Sequence, residues 1–225
     1  MDVISLYHGS RVIVEHPALE HCRPFNDYGP AFYCTQDLEL AKEWACGLGE
    51  DGIANSYTLE LEGLRVLDLC SEQYSVLGWL AVLMHYRLFA KTTPTMQKGS
   101  VWLEETFNID LSNFDVVKGY RADDSYFGFA RAFLRNEITL GQLSKAIRLG
   151  ELGEQYALRS QAAFDALKFE HWVPADASIY WPQRCSKDKK ARNDFKALLL
   201  EEDDEGLFLH ELMQMGKEEL DACLF

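Results

Sequence analysis

The sequence predicts an α+β fold, and three observations carry that expectation. Short apolar or alternating runs of strand character recur along the chain. Segments with apolar residues at helical spacing separate them. Their order lacks the regular strand–helix–strand rhythm that builds a parallel sheet. The chain has 225 residues, 48% of them hydrophobic, so it can bury a sizeable core. Its mean hydropathy of −0.20 is ordinary for a globular protein.

In order, "VISLY" (3–7) reads as a short buried strand, and residues 11–30, rich in Pro, Gly, His and Asn, as an irregular loop closing at "DYGP". Thr35 is the expected N-cap of a helix over 36–47, with Leu38, Ala41 and Ala45 on one face. "NSYTLEL" (55–61) and "LRVLDL" (64–69), joined through Glu62-Gly63, predict a β-hairpin. Leu77, Leu80, Ala81, Met84 and Leu88 recur at helical spacing across 72–90. Residues 91–113 read as a loop with a helical turn near 101–107, followed by a strand, "FDVVKG". "DDSYFGFARAFLR" and "TLGQLSKAIRLG" predict helices, the second capped by Thr139 and ended by Gly150. "EQYALRS" (154–160) alternates as a strand, "QAAFDALKF" is a short helix, and "FEHWVP" is a strand closed by Pro174. Trp44, Trp79 and Phe133 read as core packing.

Composition shifts near residue 182, which divides the chain into a body (1–181) and an extension (182–225). The basic run 184–192 reads as a solvated linker. Behind it, Leu209, Leu212, Met213, Leu220 and Leu224 share one helical face, giving an acidic amphipathic helix packed on the body or on a partner. The net charge is −14, and residues 198–225 alone hold nine acids against one lysine. Residues 1–197, with 27 acids and 21 bases, are only mildly acidic. That balance argues against a general nucleic-acid-coating role, while leaving room for a local basic groove.

The six cysteines form no CxxC pair, and His16, His21 and Cys22 lack a second half-site, so no metal is expected. "MDVISLYHGSRV" has too short an apolar run for a signal peptide, and no segment approaches a membrane span. A reducing cytoplasm is the default compartment. Neither a GxGxxG turn after a strand nor a GxxxxGK[ST] loop is present.

A histidine at a strand end, as in "SLYHGS" (5–10), is by itself an ordinary structural residue. Its order with "DYGPAFYCT" (27–35), "GYRADDSYF" (119–127) and "EQYALRSQAAFDALKF" (154–169) gives it more weight. Together these fragments resemble a bacterial family of uncharacterised domains related to the ADP-ribosyltransferases, of the diphtheria-toxin-like histidine–tyrosine–glutamate type. The resemblance spans about residues 4–174 and implies a split antiparallel β core with surrounding helices. It also implies NAD as co-substrate and mono-ADP-ribosyl transfer to a macromolecular acceptor, protein or nucleic acid. Many relatives of that kind behave as intracellular toxins with a small antitoxin partner, for which the C-terminal helix would be a docking surface.

The resemblance assigns roles residue by residue. His8 would hydrogen-bond the nicotinamide-side ribose, and the backbone of Gly9 would hold the nicotinamide amide. The missing Cβ at Gly9 would let the ligand lie against the main chain. Tyr33 would stack on the nicotinamide ring, with Tyr7 and Thr35 flanking the pocket. Arg121 and Arg159 are candidates for the phosphates, against their commoner fate as surface arginines.

The third element departs from the pattern. Where the family type has glutamate at the start of a later strand, this chain has Gln155, with Glu154 immediately before it. Breaking the nicotinamide–ribose bond develops positive charge that a carboxylate stabilises, and an amide supplies no full charge. Strand side chains alternate, so Glu154 and Gln155 cannot both face one pocket without a bulge. Either Gln155 acts with a weaker electrostatic contribution or a carboxylate comes from elsewhere. Asp123 and Asp124 are the natural candidates, with capping of the following helix as their ordinary role. A catalytically silent NAD- or nucleotide-binding module is the alternative, and Gln155 is its best support.

Overall fold

Among the residues that the computed structural model describes (2–87, 90–122, 124–149 and 153–224, the side chains of 124–126 excepted), seven strands form two sheets. The first sheet holds β1 (Val3–Ser10), β3 (Gly52–Glu60) and β7 (Leu167–Ala175) in the order β1-β3-β7, antiparallel throughout. The second holds β2 (Phe32–Cys34), β6 (Glu154–Leu158), β5 (Val116–Tyr120) and β4 (Val66–Asp68), in the order β2-β6-β5-β4. Its β4–β5 pair is parallel and the others antiparallel. The sheets meet where Tyr7 N–H donates to the Thr35 carbonyl at 2.7 Å and Thr35 N–H donates to the Tyr7 carbonyl at 2.9 Å. The α+β class therefore holds.

Each face of the second sheet has its own core. On β5, Val116 belongs to a small cluster with Leu6, Phe32, Tyr57 and Leu158. Its neighbour Val117 turns the other way, into a larger cluster with Trp79, Phe129 and Phe133. The centre of that larger cluster is α2 (Val76–Tyr86), in which every residue from Leu77 to Met84 is buried. Around it pack α3 (Pro94–Phe107), α4 (Asp124–Leu134) and α5 (Leu140–Ala146).

Local chemistry explains most element ends. Thr139 caps α5 in a reciprocal box: Gln142 N–H donates to Thr139 Oγ1 at 3.1 Å, and Thr139 N–H donates to Gln142 Oε1 at 3.0 Å. Gly150, the expected terminator, lies outside the described residues, as does Leu88 at the end of the second expected helix. α1 (Leu38–Ala45) is capped by Asp37, whose Oδ1 accepts from Glu39 and Leu40 N–H. This corrects the expectation for Thr35, whose backbone is taken up by the seam and whose hydroxyl accepts from Asp37 N–H instead. α3 is a full helix of 14 residues where a loop with only a helical turn near 101–107 was expected; Thr93 caps it and Pro94 occupies its first turn.

Two further expectations are corrected. The 55–61 and 64–69 runs are not a hairpin: β3 pairs with β1 and β7, whereas β4 joins β5 in the other sheet. The turn at Gly63, with φ +83°, carries the chain between sheets. Pro174 does not end its strand, because β7 is an edge strand, where a missing N–H is tolerated, and it runs on to Ala175.

The basic run 184–192 is helical, not a linker. It lies within α7 (Ala177–Leu198), which also contains Pro182 and follows the short helix α6 (Gln161–Asp165) and β7. The C-terminal segment forms two short helices, α8 (Leu209–Leu212) and α9 (Lys217–Leu224), rather than one long one. Leu209, Leu212 and Leu220 sit in the protein's own larger core, where each buried leucine contributes about 1.5–3 kcal/mol. That apolar face is thus covered from within rather than held open for a partner. No helix among the described residues is long and apolar enough to cross a membrane.

Candidate functional site

A cleft of about 700 Å³ opens beside the seam, and His8, Gly9, Tyr33 and Gln155 all line it. Three elements deliver them, the end of β1, the middle of β2 and the start of β6, and the "DYGP" loop between β1 and β2 adds Asp27 to the lining. The size suits a substantial organic ligand.

His8 sits near the end of β1 with Nδ1 2.7 Å from the Tyr33 carbonyl. A carbonyl only accepts, so Nδ1 carries the proton and Nε2 keeps its lone pair. Burial lowers the His8 pKa against the opposing pull of that hydrogen bond, which keeps the ring neutral. The imidazole also lies against Phe32, with ring centroids 4.3 Å apart. Beneath it, the buried Asn55 of β3 donates to the His8 carbonyl at 3.3 Å and to Ser10 Oγ at 3.0 Å, and accepts from Val14 N–H at 2.8 Å. One amide thus pins the exit of β1 to the loop that borders the cleft.

Tyr33 is held by its hydroxyl. It donates to the Gly29 carbonyl at 2.7 Å and accepts from Tyr28 N–H at 3.0 Å. Gly29 has φ +76°, so only a glycine makes this turn without strain. Tyr28, fully buried, donates to the Tyr120 carbonyl at 2.6 Å and accepts from Trp79 Nε1–H at 3.0 Å. The loop is therefore bolted to β5 and α2, and the Tyr33 phenol, neutral and raised by burial, has little freedom to move.

Gln155 faces the cleft and Glu154 does not. Glu154 binds Lys118 of β5 at 2.8 Å, and Lys118 also contacts Asp68. Alternation along β6 separates the two side chains without a bulge. Gln155 Nε2 donates to Asp27 Oδ2 at 2.7 Å. Asp27, the first residue of "DYGPAFYCT", was not singled out from sequence, and its link to a strand 128 residues later has no local signature. It is 5% exposed and lines the cleft. Its Oδ2 also accepts from Ala122 N–H at 2.9 Å, and its Oδ1 lies 3.4 Å from Arg87. Burial raises its pKa, opposed by these hydrogen bonds and by the charges of Arg87 and Arg121.

The remaining expectations divide. Asp123 lies outside the described residues, and Asp124 begins α4 with its side chain outside them too. Tyr7 and Thr35 do not line the cleft; their backbones are the seam, and Tyr7 neighbours His8 in a strand whose side chains alternate. Gly9 lines the cleft, but the space beside its Cα belongs to α1. A Cβ there would lie 2.1 Å from the Ala41 carbonyl oxygen and 2.8 Å from Ala45 N. Helix–strand packing by itself thus requires a glycine at this position of the cleft lining. Arg159 turns away from the cleft, donating to the Leu111 carbonyl and to Tyr86.

Arg121 does line the cleft, its guanidinium 4.7 Å from the centre of the Trp44 ring. Trp44 is consequently a wall of the cleft rather than core, unlike Trp79 and Phe133, which are 1% and 0% exposed. Arg23, Arg87 and Arg184 join Arg121 on the lining, against Asp27 as the one carboxylate among the described residues there. A mildly acidic body therefore carries a locally basic cleft. Two buried polar atoms on that lining, Asp27 Oδ1 and Trp44 Nε1, have no hydrogen-bond partner among the described residues. No group of three or more metal-ligating side chains occurs among the described residues.

A model of the family described as "Protein of unknown function (DUF3990)" matches residues 4–169, the part of the chain that supplies every described cleft residue except Arg184. Neither the curated proteins nor the solved structures gave a significant match.

Proposed function

The chain belongs to the DUF3990 family, and from that premise we propose that it is an NAD-dependent mono-ADP-ribosyltransferase acting on a macromolecular acceptor. One observation carries the reading: His8, Tyr33 and Gln155, drawn from three strands, border the same arginine-lined cleft. A neutral His8 with Nε2 as acceptor suits a ribose hydroxyl, and the Tyr33 ring offers a flat wall for the pyridine. Arg87, Arg121 and Arg184 supply the charge that a diphosphate needs. Trp44 Nε1–H, without a hydrogen-bond partner among the described residues, adds a buried donor to the lining.

In the reaction, the bond between the ribose anomeric carbon and the nicotinamide nitrogen breaks with its electron pair passing to the nitrogen. Neutral nicotinamide leaves, and the acceptor's nucleophilic atom bonds to the anomeric carbon and loses its proton to solvent. The cleft contributes by orienting the ribose and stabilising its developing positive charge.

Incubating the purified 225-residue chain with NAD, alone and with lysate acceptors, should release nicotinamide and label an acceptor with ADP-ribose. A folded protein that binds NAD without cleaving it would point to the silent binding module, for which the amide at Gln155 argues. A folded protein that neither binds nor cleaves NAD refutes both readings.

A further inference from the structure

Resting on the transferase reading, we propose that Asp27 is the catalytic carboxylate of this cleft, with Gln155 as the residue that positions it. The resemblance leaves an amide where a negative charge is needed, and the geometry points to the charge 2.7 Å away on Asp27. Three observations carry this assignment.

First, Asp27 is buried and on the cleft wall, so its charge acts where water screens it least. Second, its two oxygens are used differently. Oδ2 accepts from both Gln155 Nε2 and Ala122 N–H, which fixes the plane of the carboxylate. Oδ1 accepts no hydrogen bond from any described residue, although it is buried. A loop anchor alone would account for Oδ2, but not for a second buried oxygen that takes no hydrogen bond from any described residue at a ligand-sized opening. Third, the identity of residue 155 follows from this arrangement. A glutamate there would set two carboxylates in hydrogen-bond contact and force them to share a proton, whereas an amide donates to Asp27 and leaves it charged. The Arg87 guanidinium 3.4 Å from Oδ1 favours the ionised form as well.

In the reaction already described, Oδ1 accepts a hydrogen bond from a ribose hydroxyl and stabilises the positive charge that grows as the carbon–nitrogen bond lengthens. The carboxylate forms no covalent bond and ends the cycle as it began. Nicotinamide takes the electron pair, and water or the acceptor supplies the new oxygen or nitrogen bond and gives up its proton.

The test compares wild type, Asp27→Asn, Gln155→Glu and the double variant Asp27→Asn/Gln155→Glu in the 225-residue chain. NAD affinity is measured by calorimetry and nicotinamide release by chromatography. Asp27→Asn should lower release at least about 100-fold while the NAD Kd stays within about threefold. Gln155→Glu alone should not raise release, because the paired acids share a proton. The double variant, which moves the charge across the same hydrogen bond, should recover at least tenfold over Asp27→Asn. Release by Asp27→Asn within threefold of wild type, with NAD still cleaved by wild type, overturns this assignment and leaves the transferase reading standing. Wild type that binds no NAD overturns the transferase reading, and this assignment with it. Should Asp27→Asn fail to fold, the wild-type pH profile decides. Release should fall on the acid side as one group above the ordinary carboxylate range takes up a proton, in the setting of Arg87, Arg121, Tyr28, Tyr33 and neutral His8. A rate that stays flat down to the ordinary carboxylate range overturns the assignment.

Discussion

Replacing Gly9 with alanine separates packing from ligand contact at the residue next to His8. The new methyl carbon would stand 2.1 Å from the Ala41 carbonyl oxygen and 2.8 Å from Ala45 N, both backbone atoms of α1. Neither atom has a rotamer through which to yield, so β1 and α1 must separate by about 1 Å to restore van der Waals distance. Overpacking of this kind costs about 1–3 kcal/mol, and a clash against two backbone atoms belongs at the upper end. For a chain of this size, about 3 kcal/mol corresponds to a fall in Tm of roughly 6–12 °C. Differential scanning fluorimetry without ligand reads it directly. Had Gly9 been selected for a ligand's approach, Gly9→Ala would leave Tm unchanged and weaken NAD binding alone. That outcome would refute the packing argument.

Asn55→Ala removes the amide that ties His8, Ser10 and Val12 to the loop and leaves Val14 N–H without its acceptor. The expected cost is about 2–3 kcal/mol, with faster amide hydrogen exchange over residues 10–14; unchanged exchange there would refute the role. Asp27 yields a pH test of stability. Its pKa is raised, so the folded chain holds that proton more tightly than the unfolded chain. Its contribution to stability is full below about pH 4 and lost as the pH rises through the elevated value. Asp27→Asn lacks that loss, so its Tm relative to wild type should improve between pH 4 and pH 7, and a relative decline would refute the burial argument.

Legibility from sequence followed the range of the interaction. The Thr139 cap, the 124–134 helix and the 154–158 strand rest on neighbours within a few residues, and those signals were sufficient. Strand partners were not legible: alternation identifies β3 and β4 as strands but says nothing of which sheet receives them. α3 escaped because its Gly99 and Ser100, poor helix formers, are buried by tertiary packing, Gly99 against Leu134 and Leu209. Within the site, His8, Tyr33 and Gln155 were read from short motifs. Asp27 was hidden because its meaning depends on Gln155, and Arg87 because its meaning depends on Asp27.

The family match stops at residue 169, yet β7 continues for six more residues, and Leu198, Leu209, Leu212 and Leu220 complete the larger core. Homology and foldability thus have different borders in this molecule. An expression fragment trimmed to the matched stretch would lose Arg184 from the cleft and expose the surface that α3, α4 and α5 now share with the C-terminal helices. The acidic end of the chain, which looks dispensable by charge, is a structural plug, and deletions meant to isolate a minimal folded unit should leave it in place.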